Sequence, residues 1–153
     1  MLTVLRALRL LALIVWLGGL IFFGAVLAPV AFTHLATTHD AGLVVGASLR
    51  ILHIIGFVCG AVLILTTLAL DRTGRAVGFT TITIAMLALT AWSQFSIIPR
   101  MESDRLAAGE ITPSCISPAC TDFNRLHPLS EHVEEAVMLG GLVLTVMLAQ
   151  RED

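Results

Sequence analysis

Charge is what this sequence has least of. Only 13 % of its 153 residues are charged, against about 25 % in ordinary globular domains. Lysine is missing altogether, so all nine basic side chains are arginines. They are scattered singly, which reads as a bias of composition rather than a phosphate-binding device. Together with a net charge of −2, that pattern excludes nucleic acid as a partner. Also missing are a glycine-rich phosphate loop, a nucleophile–base arrangement, an internal repeat and any low-complexity tract. Ser130 does follow His127 by three residues, but that is local helix geometry and reads as a hydrogen bond near a helix start. Enzymatic chemistry therefore has no anchor in the sequence.

What is present is apolar. Hydrophobic residues make up 57 % of the chain, and mean hydropathy is +0.93. A soluble domain of this length could not hide so much apolar surface. The apolar residues are also gathered into runs. Leu10–Phe32, Ile51–Leu70 and Ala76–Ile98 each approach or exceed the roughly 20 helical residues that cross about 30 Å of hydrocarbon. A fourth run, Ala136–Ala149, is only 14 residues long. A helix begun near Pro128 brings it to full length, because proline suits a first turn. The expectation is an all-α integral membrane protein: a single domain over residues 1–153, folded as an antiparallel up-down bundle of four transmembrane helices. The spans fall at about 10–32, 51–70, 76–98 and 128–149, with outer loops at 33–50 and 99–127. Helix contacts are expected at Gly18/Gly19, Gly56 and Gly60, and Gly140/Gly141.

Orientation rests on arginine density. Arg6, Arg9, Arg72, Arg75 and Arg151 lie on the side of the termini, whereas Arg50, Arg100, Arg105 and Arg125 are spread over far longer connections. The denser side is expected to be cytoplasmic, in a bacterial inner membrane. The first run is too long for the core of a signal peptide, and Pro29 after Ala28 makes a poor cleavage site.

All five histidines fall toward the outer side: His34, His39, His53, His127 and His132. Histidine and carboxylates are costly in lipid and turn toward protein or water. On the fourth helix, His127, Glu131, Glu134, Met138, Gly141 and Thr145 follow one helical face, while Thr83, Thr90, Gln94 and Met101 form a similar stripe on the third. His53 shares a face with Gly56 and Gly60 on the second. The stripes predict an outer polar pocket built from His53, His127, Gln94, Arg100, Glu131, Glu134 and Ser130. Three uses stay open. His53 and His127 can share a transition-metal ion or the axial positions of a haem. The same groups can form a structural network giving the helices register, or as a stripe they can pass protons or small solutes. His34, His39 and His132 read as solvated surface.

Cys115 and Cys120 stand near Pro113 and Pro118 in the loop assigned to the outside, where oxidising conditions favour a disulfide. Cys59 reads as a small buried side chain, and Trp16 and Trp92 as packing or interface residues.

Several segments add up in order: Trp16-Leu-Gly-Gly with Phe22-Phe23 and Ala28-Pro29; Leu52-His53-x-x-Gly56; Ser93-Gln94-Phe95 with Ile98-Pro99-Arg100-Met101; and Phe123-x-x-Leu126-His127-x-x-Ser130. This set resembles the bacterial membrane domains of unknown function grouped with eukaryotic transmembrane protein 205. The resemblance implies a four-span membrane domain without an established catalytic activity. Through the relative's association with platinum-drug resistance, it also implies handling of metals or small molecules. The residues matching the pattern are Trp16, His53, Gln94, Pro99, Arg100, His127 and Ser130. The run Glu131, His132, Glu134 and Glu135 departs from it, as does the Cys115/Cys120 loop. The functional expectation is a non-enzymatic membrane protein whose outer pocket binds a metal ion, haem or small ligand. The alternatives are a structural or assembly subunit of a membrane complex, or a haem-carrying redox protein.

Overall fold

A computed structural model describes residues 2–71, 74–109, 111 and 114–150. Arg72, Arg151 and Pro113, which entered the arguments on orientation and loops, lie outside the described residues. Four helices account for the fold: α1 (Leu2–His34), α2 (Thr38–Leu70), α3 (Gly74–Ala108) and α4 (Pro118–Ala149). No strand occurs among the described residues. All four are long and apolar enough to cross a membrane, so the chain is a multi-pass membrane protein by length and composition. Consecutive helices are antiparallel neighbours, and α1 also packs on α4, closing an up-down four-helix bundle. Both ends of the described chain lie at one end, termed inner below.

Each helix runs well past its apolar stretch. At 1.5 Å per residue a 33-residue helix is about 50 Å long, some 20 Å more than a hydrocarbon core. The excess lies mostly on the outer side, where segments 38–50, 98–108 and 118–127 are helical rather than loop. Local chemistry explains the early starts. Thr37 caps α2, its Oγ1 accepting from the Asp40 backbone N–H at 3.0 Å and donating to Asp40 Oδ2 at 2.8 Å. Ser117 caps α4 by accepting from the Cys120 N–H at 3.2 Å, with Pro118 in the first turn. Gly109, at φ 73°, ends α3 with its N–H on the Arg105 carbonyl. Pro128 is therefore interior to α4, not its beginning. It sits on the exposed side, where water can satisfy the carbonyl its ring releases.

Two prolines leave a second mark. In α1 the five residues Phe23–Leu27, and in α3 the five residues Ser93–Ile97, wind as π-helix. Each π segment begins six residues before a proline, Pro29 and Pro99 respectively. A proline cannot donate to the carbonyl four back and its ring crowds that carbonyl. The chain responds with i→i−5 bonds just ahead of it, Ala28 N–H to Phe23 and Ile98 N–H to Ser93. Such a bulge inserts one residue into the turn and redirects the side chains beside it.

The core runs the length of the inner half: Trp16, Leu63, Val137 and Leu144 are fully buried among Leu13, Leu20, Phe79 and Met86. Glycines mark the close approaches. A Cβ on Gly56 would lie 2.7 Å from Trp16 Nε1, one on Gly60 2.5 Å from Leu87, and one on Gly140 2.8 Å from Met86. Gly18, by contrast, faces open space. Trp92 is exposed, and Cys59 is buried against the core. The polar stripe of α4 is shifted from its expected place: the buried face is Leu126, Ser130, Val133, Val137 and Leu144, while Glu131 and Thr145 turn outward.

Candidate functional site

Two polar tiers occupy the bundle, one at mid-length and one above it. The lower tier centres on His53, which is 1 % exposed. Its Nδ1 lies 2.9 Å from Gln94 Oε1 and its Nε2 2.9 Å from Glu134 Oε1. Ser93 Oγ donates to the same Glu134 oxygen at 3.0 Å. Adjacent residues on an ordinary helix diverge by about 100°; the π segment of α3 lets both Ser93 and Gln94 reach this cluster. With the Gln94 amide oxygen facing the ring, Nδ1–H donates to it and Nε2 is left to share a hydrogen bond with Glu134. With the amide turned over, a neutral ring donates to Glu134 alone. Glu134 Oε2 is buried without a hydrogen-bond partner among the described residues.

The upper tier is a cavity of about 390 Å³ between the outer halves of α2 and α3, reached also by Phe32 of α1 and His127 of α4. Arg50 of α2 is ion-paired with Glu102 of α3 on its wall. Arg105 is held more firmly. Its guanidinium fills the place a Gly42 side chain would take, stands 4.8 Å from the Phe123 ring centroid, and donates to the Thr38 carbonyl at 3.4 Å. A Cβ at position 42 would push it aside. The floor of the cavity is Leu49 and Ile98, one turn above His53 and Gln94 in sequence.

The expected outer pocket is thus divided. His53, Gln94 and Glu134 come together, and Ser93, not expected, joins them. His127 does not. It lies seven residues before Glu134 on α4, about 10 Å along the axis, with its Nδ1 3.4 Å from Glu131. Among the described residues no three His, Cys, Asp or Glu side chains gather as a metal-ligand group. Arg100 is exposed and 3.9 Å from Asp122, away from the cluster. Glu131 is exposed beside His127, and Ser130 is buried on the core face. His132 pairs with Glu135 at the surface, and His34 with Thr33. His39 reaches across to the Gly109 carbonyl at 2.8 Å.

Cys115 and Cys120 form a disulfide with Cα atoms 6.0 Å apart, tying the connection before α4 to its first turn. Arg50, Glu102 and Arg105 were legible as charges but not as one wall, because residues 99–127 read as loop. Taken as helix, Glu102 and Arg105 are i and i+3 and share a face. The signal for Ser93 is Pro99 six residues on, repeated at Phe23 and Pro29.

No curated protein and no solved structure matches this chain. A family model does, over residues 11–108, from Leu11 within α1 through α2 to the end of α3. That match covers well over half of the sequence, and the chain belongs to the family described as Domain of unknown function (DUF4149).

Proposed function

We propose that this is a binding protein of the bacterial inner membrane, with its termini in the cytoplasm, that takes a small ligand into the outer cavity. The cavity carries the reading. Its volume falls within the range of small-molecule sites, and it combines apolar walls with a few convergent polar groups. The His53–Gln94–Glu134–Ser93 cluster lies one turn beneath its apolar floor and ties the helices together there. Kinship with the transmembrane-protein-205 family belongs to the same reading and rests on the ordered segments around Trp16, His53, Gln94, Pro99 and His127. The denser arginines beside the termini support the orientation.

A second reading is a structural or assembly subunit, of a homo-oligomer or of a membrane complex. It draws on one observation: both nitrogens of His53 are already engaged within the bundle.

Native mass spectrometry of the detergent-purified protein tests the choice. A retained non-covalent mass that is lost in Gly46→Leu supports the cavity, since that side chain would grow into open space. No retained mass, with Gly46→Leu instead disturbing assembly, favours the subunit. A Soret band or a stoichiometric metal lost in His53→Ala would overturn both.

A further inference from the structure

We infer that the outer cavity selects an amphiphile with an anionic head, bound by Arg105 and Arg50, with its apolar body along the α2–α3 wall. This rests on the cavity reading above and adds the chemical class of the occupant.

The charges on the wall are not balanced. Arg50 is spent on Glu102, whereas no carboxylate among the described residues lies within 4.0 Å of the Arg105 guanidinium. A guanidinium carries five N–H donors. Arg105 spends one, at 3.4 Å, on the Thr38 carbonyl. Gly42 and the Phe123 ring fix the group in place, so an incoming anion meets a donor fork that is already oriented. A fork of this shape matches carboxylate and phosphate oxygens in pairs. Arg50 lines the same space and can add a second cation if Glu102 lets go.

Apart from His127, the rest of the lining is mainly apolar: Phe32, Leu43, Leu49, Ile51, Ile98 and Met101. Phe32, Leu43 and Ile51 are also exposed on the outside of the bundle, at 45 %, 40 % and 60 %. The apolar wall therefore continues from the cavity onto the outer surface of the bundle, down to Phe32 and Ile51 at the outer ends of their apolar runs. An inorganic anion would leave that wall unused, and a wholly apolar molecule would leave Arg105 without an anionic partner. An acyl chain entering sideways with its head on Arg105 satisfies both.

Saturation binding of radiolabelled oleate to the full chain in phosphatidylcholine nanodiscs tests this. Saturable binding is expected. It should weaken at least about tenfold in Arg105→Gln, as loss of a charge-assisted hydrogen bond implies. It should strengthen in Glu102→Gln, which frees Arg50, and vanish in Gly46→Leu. Unchanged unfolding midpoints show that the variants are folded; Glu102→Gln, at an exposed pair, keeps the test open if Arg105→Gln does not fold. Competition by phosphatidylglycerol but not by inorganic phosphate identifies the occupant as a bilayer lipid. Competition by neither identifies it as a free acyl anion; both support the inference. Equal competition by inorganic phosphate overturns the amphiphile. Monoolein binding as well as oleate, with Arg105→Gln and Glu102→Gln silent, overturns the anionic head but leaves the cavity. Oleate and monoolein both failing to bind, with no retained mass lost in Gly46→Leu, overturns cavity and ligand class together.

Discussion

Below His53 the four helices close on one another, whereas above it α2 and α3 part around a cavity. The glycines make the difference plain. In the inner half, Gly56, Gly60 and Gly140 are filled by Trp16, Leu87 and Met86. In the outer half of α2, Gly42 is filled by a guanidinium and Gly46 by nothing. One device, the absent side chain, serves close packing in one region and makes room for charge and space in the other. Below, the buried residues are mainly apolar side chains and threonines, with Arg9 stacked on Phe79; above stand ion pairs half-open to solvent.

The sharpest way to break this comparison is to fill both kinds of glycine. Gly56→Leu drives a side chain into the Trp16 indole and should cost about 3 kcal/mol, the upper end for overpacking. Gly46→Leu should stay within about 0.5 kcal/mol. Unfolding in mixed micelles measures both, and equal losses would erase the distinction between the halves. Next in size is the lower tier itself. Glu134→Ala strands His53 Nε2 and Ser93 Oγ and should cost about 2 kcal/mol, with Glu134→Gln recovering part. The matching double-mutant cycle with His53→Ala should show coupling; additive losses would mean the cluster does not join α2 to α4.

The outer half is expected to tolerate more. Replacing Cys115 and Cys120 by serine removes a short crosslink and should lower stability by at most about 2 kcal/mol. In the native chain, both thiols should resist labelling in intact cells until a reductant is added. Labelling without reductant would deny the disulfide, and labelling only after lysis would reverse the orientation. Smallest is Glu102→Gln. The Arg50–Glu102 pair is 37 % and 46 % exposed, so its loss should change stability by less than about 1 kcal/mol. A larger loss would make the outer wall as structural as the core.

Much of this was legible from residue order. The apolar runs and the short Asp71–Arg75 connection predict four antiparallel spans, because lipid demands helices of a minimum length with backbone groups satisfied internally. The cost of burying His53 and Glu134 alone predicts that they turn into a shared polar pocket. The outer ends were not legible by the same rule. Hydropathy marks where a helix meets lipid, not where it stops, so Thr37 and Ser117 start helices earlier than the apolar runs do. With the extensions read as loops, Glu102 and Arg105 had no shared face. His127 was placed beside His53 because both open apolar runs, although the longer α4 sets it two turns higher.

Sequence alone therefore determined the class and the number of spans, since both follow from the length of apolar helix that lipid demands. Only the tertiary structure decided which polar groups meet. The π segments ahead of Pro29 and Pro99 alter helix phase, and the parting of α2 from α3 opens the cavity. Both depend on how whole helices rotate and separate against one another, which no single stretch of sequence specifies.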